Sequence, residues 1–215
     1  MMKFIKIPRT LYLELTPEGD ERTELYRTDN FLLRFMFWRR LHAVSTMLGT
    51  CAKREECLDF GGGTGVMLPT LSQHFKNTTC VDLDAFLAKC ITRVLKLKNV
   101  SVIEDNIDTL PATSKKFDAI VAADVLEHFK DLSFPARIIK DVLSEDGVLV
   151  LSLPTESKLY CGLRKVFNKK KPADHYHSAD DVEAYLSNNG FKKIKSRCLP
   201  VAGLSLFSIS AWKHA

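Results

Sequence analysis

A chain of 215 residues, 46% of them apolar, can bury one sizeable core with chain to spare for additional elements, so a single domain is expected. Its formal charge of +5, from 31 basic and 26 acidic residues, permits an anionic partner without requiring one. No stretch approaches the roughly 18 uncharged apolar residues of a membrane span, no signal-peptide core precedes Pro8, and six cysteines without a C-x-x-C pair exclude zinc-ribbon and thioredoxin-type sites; reduced, buried thiols in a cytoplasmic protein are the expected state.

Residues 1–28 hold Pro8, the turn signal Pro17-Glu18-Gly19-Asp20 and a short alternation of Leu11, Leu13 and Leu15, which read as an irregular arm or a short hairpin. Asn30 then offers an N-cap to a helix from Phe31 to Leu48, closed by Gly49. At 100° per residue, Leu33, Phe37, Leu41, Val44 and Leu48 form one stripe that faces the domain. Phe31, Phe35 and Trp38 fall on the other side, among Arg34, Arg39 and His42. That second face either packs under the N-terminal arm, covers a hydrophobic substrate, or rests on a membrane surface. Residues 1–49 are accordingly read as an arm and amphipathic helix that serve as a lid or cap, and residues 50–215 as the main domain.

From residue 56 strand-like and helix-like runs alternate. The strands are Glu56 to Phe60, Thr78 to Val81, Val100 to Ile103, Phe117 to Ala122 and Gly147 to Leu153, with helical runs between most of them. Such alternation predicts an α/β fold, a mostly parallel sheet with helices on both faces. A Ser178-capped helix closed by Gly190 follows, then strands Phe191 to Cys198 and Leu204 to Trp212 around the turn Pro200 to Gly203. A connection that short makes one strand antiparallel.

The stretch that organises the chain is Glu56 to Gly65, in which an apolar run breaks into four glycines within five residues. Glycine is needed where backbone takes φ > 0 or passes close to a ligand, and the segment from Val66 can open a helix facing that ligand. A dinucleotide turn wants G-x-G-x-x-G. Here Val66 occupies the third place, and the pattern is G-x-G-x-G through Gly61, Gly63 and Gly65, preceded by Leu58-Asp59-Phe60. This stretch resembles motif I of the class I S-adenosylmethionine-dependent methyltransferases, and the strand order from about residue 50 resembles their Rossmann-like, seven-stranded sheet.

The resemblance implies S-adenosylmethionine as cofactor and a set of residues that hold it. Asp59, Gly61, Gly63 and Gly65 form the turn. Asp82, at the end of the second strand and followed by Leu83, matches the carboxylate that accepts the ribose hydroxyls, better than Asp84 does. Asp105 matches the acceptor for the adenine amino group, with Asn106 and Ile107 along the ring; Asp108 fits less well. In Asp124-Val125-Leu126-Glu127-His128 an acidic residue and a Leu-Glu-His follow the fourth strand, as in the family, and Asp124 joins the cofactor set.

The acceptor belongs beyond the carboxyl ends of the strands. Thr155 to His177 is longer than a connection needs and carries Tyr160, the basic run Arg164 to Lys171, and Asp174-His175-Tyr176-His177; it reads as a cover over the acceptor pocket. A histidine is the natural base for a hydroxyl acceptor, so His128, His175 and His177 are the catalytic candidates. Asp124, Glu127 and His128 also follow D-x-x-E-H, similar to the E-x-x-E-H of ubiquinone-biosynthesis and small-RNA O-methyltransferases, relatives that hold a divalent ion. The shorter Asp124 departs from that pattern, and no metal ligands are assigned.

The expected function is therefore methyl transfer to a small-molecule or lipid-like acceptor, through a hydroxyl oxygen, with peripheral membrane contact open and nucleic acid disfavoured. Two alternatives stay in view: an RNA 2′-O-methyltransferase using a divalent metal, and a protein that binds S-adenosylmethionine without catalysis while docking to a partner. A nicotinamide dehydrogenase is opposed by Val66.

Overall fold

The computed structural model describes residues 2–16, 21–110, 114–155, 175–199 and 205–215. Three helices lead the chain: α1 (Arg9–Leu15), α2 (Glu21–Arg27) and α3 (Phe31–Leu48). After them come β1 (Glu56–Phe60), α4 (Leu68–His74), β2 (Asn77–Asp82), α5 (Phe86–Val94), β3 (Val100–Glu104), β4 (Phe117–Ala123), α6 (Ser133–Val142), β5 (Leu143–Pro154), α7 (Ala179–Asn188), β6 (Phe191–Leu199) and β7 (Phe207–His214).

The strands form one seven-stranded sheet in the order β3-β2-β1-β4-β5-β7-β6. All pairs from β3 to β5 are parallel, while β7 runs antiparallel to both β5 and β6, so the expected single antiparallel strand is present. Side chains alternate across the sheet with period two. Cys57 and Val121 thus join Leu41, Val44 and Leu48 of α3 in one core, while Leu58 and Ile120 join Ile139 of α6 and Val182 of α7 in the other. Burial on both faces is why the central strands are continuous apolar runs rather than alternating ones. Ser178 caps α7 in a capping box with Asp181, as its position predicts. The chain steps outward from β1 to β2 and β3, then returns to place β4 on the other side of β1. Loops leaving β1 and β4 therefore diverge, and the crevice between them is the switch point at which such sheets bind ligands.

The N-terminal arm differs from the reading as an irregular segment or hairpin. Pro8 stands at the start of α1, where its fixed φ suits a helix. The residue that α1 buries fully is Tyr12; Leu11 and Leu15, four apart, pack against the same core while Leu13 is exposed, so the leucines follow a helical face and not an alternating one. Tyr12 stacks on Tyr26 of α2 at 5.7 Å, and Tyr26 lies 5.2 Å from Trp38 of α3. Phe4 covers Trp38 as well. The second face of α3 thus divides: Trp38 is buried under the arm, whereas Phe31 and Phe35 remain exposed. Among the described residues, no helix is long and apolar enough to cross a membrane.

Candidate functional site

β1 delivers the glycine turn to the switch point. Gly61, Gly63 and Gly65 all have positive φ, between +44° and +71°. At Gly65 a Cβ would lie 2.9 Å from the Cα of Ala88, so α5 can approach this closely only against a residue without a side chain. At Gly63 the nearest atom to such a Cβ is Asp82 Oδ2 at 3.7 Å, which leaves the space over this residue open. α4 begins at Leu68 rather than near Val66. Leu68 N donates to Gly65 O in a turn, and Pro69, with no N–H, fits the first turn of the helix that follows.

Asp82 faces that open space from the end of β2. Its Oδ2 accepts from Gly63 N at 2.8 Å and its Oδ1 from Asp84 N at 2.9 Å. Asp84 instead accepts from Phe86 N at the start of α5, the local capping role that separates the two aspartates. Leu83 beside them is 77% exposed. Asp105 N donates to Asp82 O at 3.1 Å, which brings the loop after β3 alongside, with Asp105 and Asn106 exposed. Ile107 behaves differently: its side chain is buried in the core with Leu110 and Phe117. Asp59 is also buried, and a Cβ on Gly62 would come within 2.7 Å of its Oδ2, so it sits under the turn. Burial, and then the negative charge of Asp82, push its carboxyl up to about 7.

Asp124 directly follows β4, takes a left-handed conformation at φ 57° and donates its amide to Ser152 O. Its Oδ2 accepts from Nη1 of Arg40, a side chain of α3 that is only 3% exposed. The Arg40 guanidinium lies against the rings of both Phe37 and Phe207, 5.2 and 5.1 Å from their centroids, while the two rings meet edge to face at 5.3 Å, and Nη2 donates to Tyr26 Oη at 3.4 Å. Sequence reasoning passed over Arg40, although a signal was there. It lies three residues after Phe37 and four before Val44, a lone charge on the stripe facing the core.

The segment Leu126–His128 makes a single 3-10 turn, and Tyr176 N donates to Glu127 O at 2.8 Å, which fastens the chain after residue 174 beside it. The His128 and His175 rings meet edge to face with centroids 4.6 Å apart. Glu127, fully buried, offers a carboxylate oxygen that lies with one ring nitrogen of each histidine in a group no wider than 4.8 Å. His177 does not join them; its ring contacts Lys130 O. Two of the three candidate histidines therefore converge. Asp124 pairs with Arg40, so the group that could hold a metal comprises Glu127, His128 and His175, a mixed set suited to a divalent ion. The expected basic cover lies largely in residues 156–174, and the turn from Pro200 to Gly203 in residues 200–204; both fall outside the described residues.

The profile of the methyltransferase-domain family matches residues 32–196, more than two thirds of the chain. The chain belongs to that family. Its cofactor is S-adenosylmethionine, and the open turn over Gly63, with a carboxylate at its edge, fits a nucleoside of that kind. The chain is 30% identical over 102 residues to (S)-coclaurine N-methyltransferase of Papaver somniferum, a match spanning 44% of this chain and only 28% of that protein. Among solved structures it resembles the N-methyltransferase NodS of Bradyrhizobium japonicum in complex with S-adenosylhomocysteine, at 18% identity and a TM-score of 0.67 over 96% of this chain and 97% of that one. It also resembles the magnesium protoporphyrin IX methyltransferase of Synechocystis with bound S-adenosylmethionine, at 17% identity and a TM-score of 0.65 over 96% and 95% of the two chains. At these identities the structural likeness shows the fold.

Proposed function

We propose that the chain transfers a methyl group from S-adenosylmethionine to a hydroxyl oxygen of a small-molecule or lipid-like acceptor. The contact between His128 and His175 beyond the carboxyl end of β4 carries this reading. The bound cofactor supplies an electrophilic methyl group on a sulfonium. Asp82 accepts the ribose hydroxyls, Asp105 and Asn106 flank the base, and the Gly61 to Gly65 turn passes under the sugar. Asp59 supports the turn from below. His175 or His128 takes the acceptor O–H proton as the oxygen attacks, and the Glu127 carboxylate stabilises the imidazolium that results. The remainder of the work is orientation of two reactants in line.

A lipid-like acceptor is favoured by the start of α3. Phe31 is 71% and Phe35 47% exposed, their rings stack at 6.0 Å, Leu32 lies beside them, and outside the buried Arg40 the helix carries Arg34 and Arg39 and no acidic residue. Such a face suits peripheral contact with an anionic membrane.

A second reading rests on the Glu127, His128 and His175 group. A divalent ion held there would lower the pKa of an acceptor hydroxyl, so the histidines would act as ligands rather than as a base. The two readings separate by experiment. Radiolabelled methyl transfer to phenolic, catecholic and prenylated acceptors is measured with and without chelation. Loss of transfer in His175→Gln with no effect of chelator supports the base, and loss restored by added metal supports the ion. Methyl transfer to amines that is indifferent to both histidines would end the hydroxyl reading.

A further inference from the structure

β6 is the edge of the sheet and pairs with β7 alone among the described residues. Only Phe191 and Leu199, at its two ends, are buried; every residue between them is exposed. Register sorts its charges. Directly opposed residues of an antiparallel pair project from the same face. Lys195 opposes Ala211 and Arg197 opposes Ile209, both members of the core beneath α3. Lys193 opposes Trp212, which belongs to the core on the other side of the sheet. Lys192 opposes Lys213, and Lys213 follows Trp212, so this pair projects from the α3 face. In an unbroken strand Lys192 and Lys195 would point to opposite faces. The register shift between Lys193 and Lys195 brings them to one, the re-aiming that a β-bulge provides.

The two faces treat their cations differently. Lys193 donates to Glu183 Oε2 of α7 at 2.6 Å and lies over the Trp212 ring. On the α3 face, Lys192, Lys195, Arg197 and Lys213 have no carboxylate within ion-pair distance among the described residues. Lys192 also stands directly opposite a like charge, which costs stability in a sheet. α3 packs over β5 and β7 and stops short of this strip. Its own exposed side, on which Phe31, Phe35 and Arg39 recur every four residues, turns away from the sheet. Exposed rings and unpaired cations thus share one side of the molecule, while α7, with Asp180, Asp181 and Glu183, lies on the other.

We propose that the α3 face of β6 is the charged half of a docking surface for an anionic phospholipid bilayer. The inference rests on the peripheral contact proposed for α3 and adds to it a second element, distant in sequence, that supplies the charge. The Phe31 and Phe35 rings enter the interface, and Lys192, Lys195 and Arg197 face the phosphates of the headgroups. Attraction acts across a Debye length, about 8 Å at physiological ionic strength, so the strand itself need not touch lipid. The rings stack on each other beside Leu32. That is an apolar wedge suited to lipid, not a row of separate platforms for successive bases. Docking also sets the orientation of the site. Phe37 meets Phe207, which pairs with Pro154 at the carboxyl end of β5, so α3 begins at the end of the sheet that carries the glycine turn and the histidines. That end turns toward the bilayer, from which a lipid-like acceptor enters.

Sedimentation of the full chain with vesicles tests the surface, using phosphatidylcholine alone and an equal mixture of phosphatidylcholine and phosphatidylserine. The parent chain is expected to bind the anionic vesicles at least tenfold more tightly than the neutral ones. Combining Lys192→Gln, Lys195→Gln and Arg197→Gln should weaken that binding about a hundredfold. Lys193→Gln, on the other face, should stay within twofold. The triple variant also loses the repulsion between Lys192 and Lys213, so its melting temperature should equal or exceed the parent's, which separates lost binding from lost fold. Parent-like sedimentation of the triple variant, or equal binding of the parent to both vesicles, would overturn the role of β6; loss of binding in Phe31→Ser with Phe35→Ser would then leave the α3 contact standing. A parent chain that ignores vesicles but retains an RNA oligonucleotide through the same three cations would replace the bilayer by nucleic acid. A parent chain that binds neither vesicle would sink the β6 and α3 readings together.

Discussion

The amide of Gly63 donates to Asp82 Oδ2 at 2.8 Å, joining the turn after β1 to the end of the neighbouring strand β2. This one bond orients a carboxylate across the open space above the turn. It also explains why glycine spacing and a strand-end aspartate must occur together: each sets the geometry of the other.

The glycines of the turn should separate by substitution. Gly65→Ala forces a Cβ against the backbone of Ala88 at a positive φ, so it should destabilise the fold by about 1–3 kcal/mol from backbone strain, with further loss from the clash. Gly63→Ala has room for its methyl group in the folded chain. It should cost less stability and weaken cofactor binding more, because that room is where the proposed function puts the nucleoside. Urea unfolding and calorimetry on both variants check the contrast.

Asp59 makes stability depend on pH. Its carboxyl titrates near 7 in the fold against an ordinary value of 3.8, so the folded chain holds a proton that the unfolded chain has lost between those limits. The associated stability is fully present below 3.8 and declines as pH rises to about 7. Asp59→Asn should flatten this decline. Thermal melts from pH 4 to pH 8 measure it, and identical slopes in the two proteins would contradict it.

Replacing His175 by Gln should lower methyl transfer to a hydroxyl acceptor by roughly 10²- to 10⁴-fold, the usual contribution of a general base. S-adenosylhomocysteine affinity should hold. His177→Gln should change turnover little, because that ring contacts Lys130 O instead of the cluster.

If α3 meets a membrane, Phe31→Ser with Phe35→Ser should weaken sedimentation with anionic phospholipid vesicles at least tenfold, since burying one such ring contributes about 1.5–3 kcal/mol. Parent-like sedimentation of the double variant would remove the membrane from the account.

The fold was legible because its signals are local. Glycines mark the turn, uninterrupted apolar runs mark strands covered on both faces, and the short link before β7 marks the antiparallel strand. The places of Asp82 and Asp105 beside the turn were legible for the same reason, each standing where a strand ends. Arg40 was not, because its role depends on Phe207 and Asp124, which lie 167 and 84 residues away and meet it only through packing. The N-terminal helices were misread because Leu11, Leu13 and Leu15 suggest alternation, whereas only Leu11 and Leu15 face the core, beside Tyr12, which stacks on Tyr26 of α2. His177 and His175 are two residues apart and equivalent in sequence; the bond from Tyr176 to Glu127 divides them.

The central claim is that the Gly61 to Gly65 turn and Asp82 bind the nucleoside of S-adenosylmethionine. Its most direct test is calorimetric titration with S-adenosylhomocysteine of the parent chain and of Asp82→Ala, with NAD as the competing ligand. The account predicts a one-to-one complex with S-adenosylhomocysteine, its loss in Asp82→Ala, and no heat with NAD. A folded parent chain that ignores S-adenosylhomocysteine, or an Asp82→Ala variant that binds it equally well, would contradict the account.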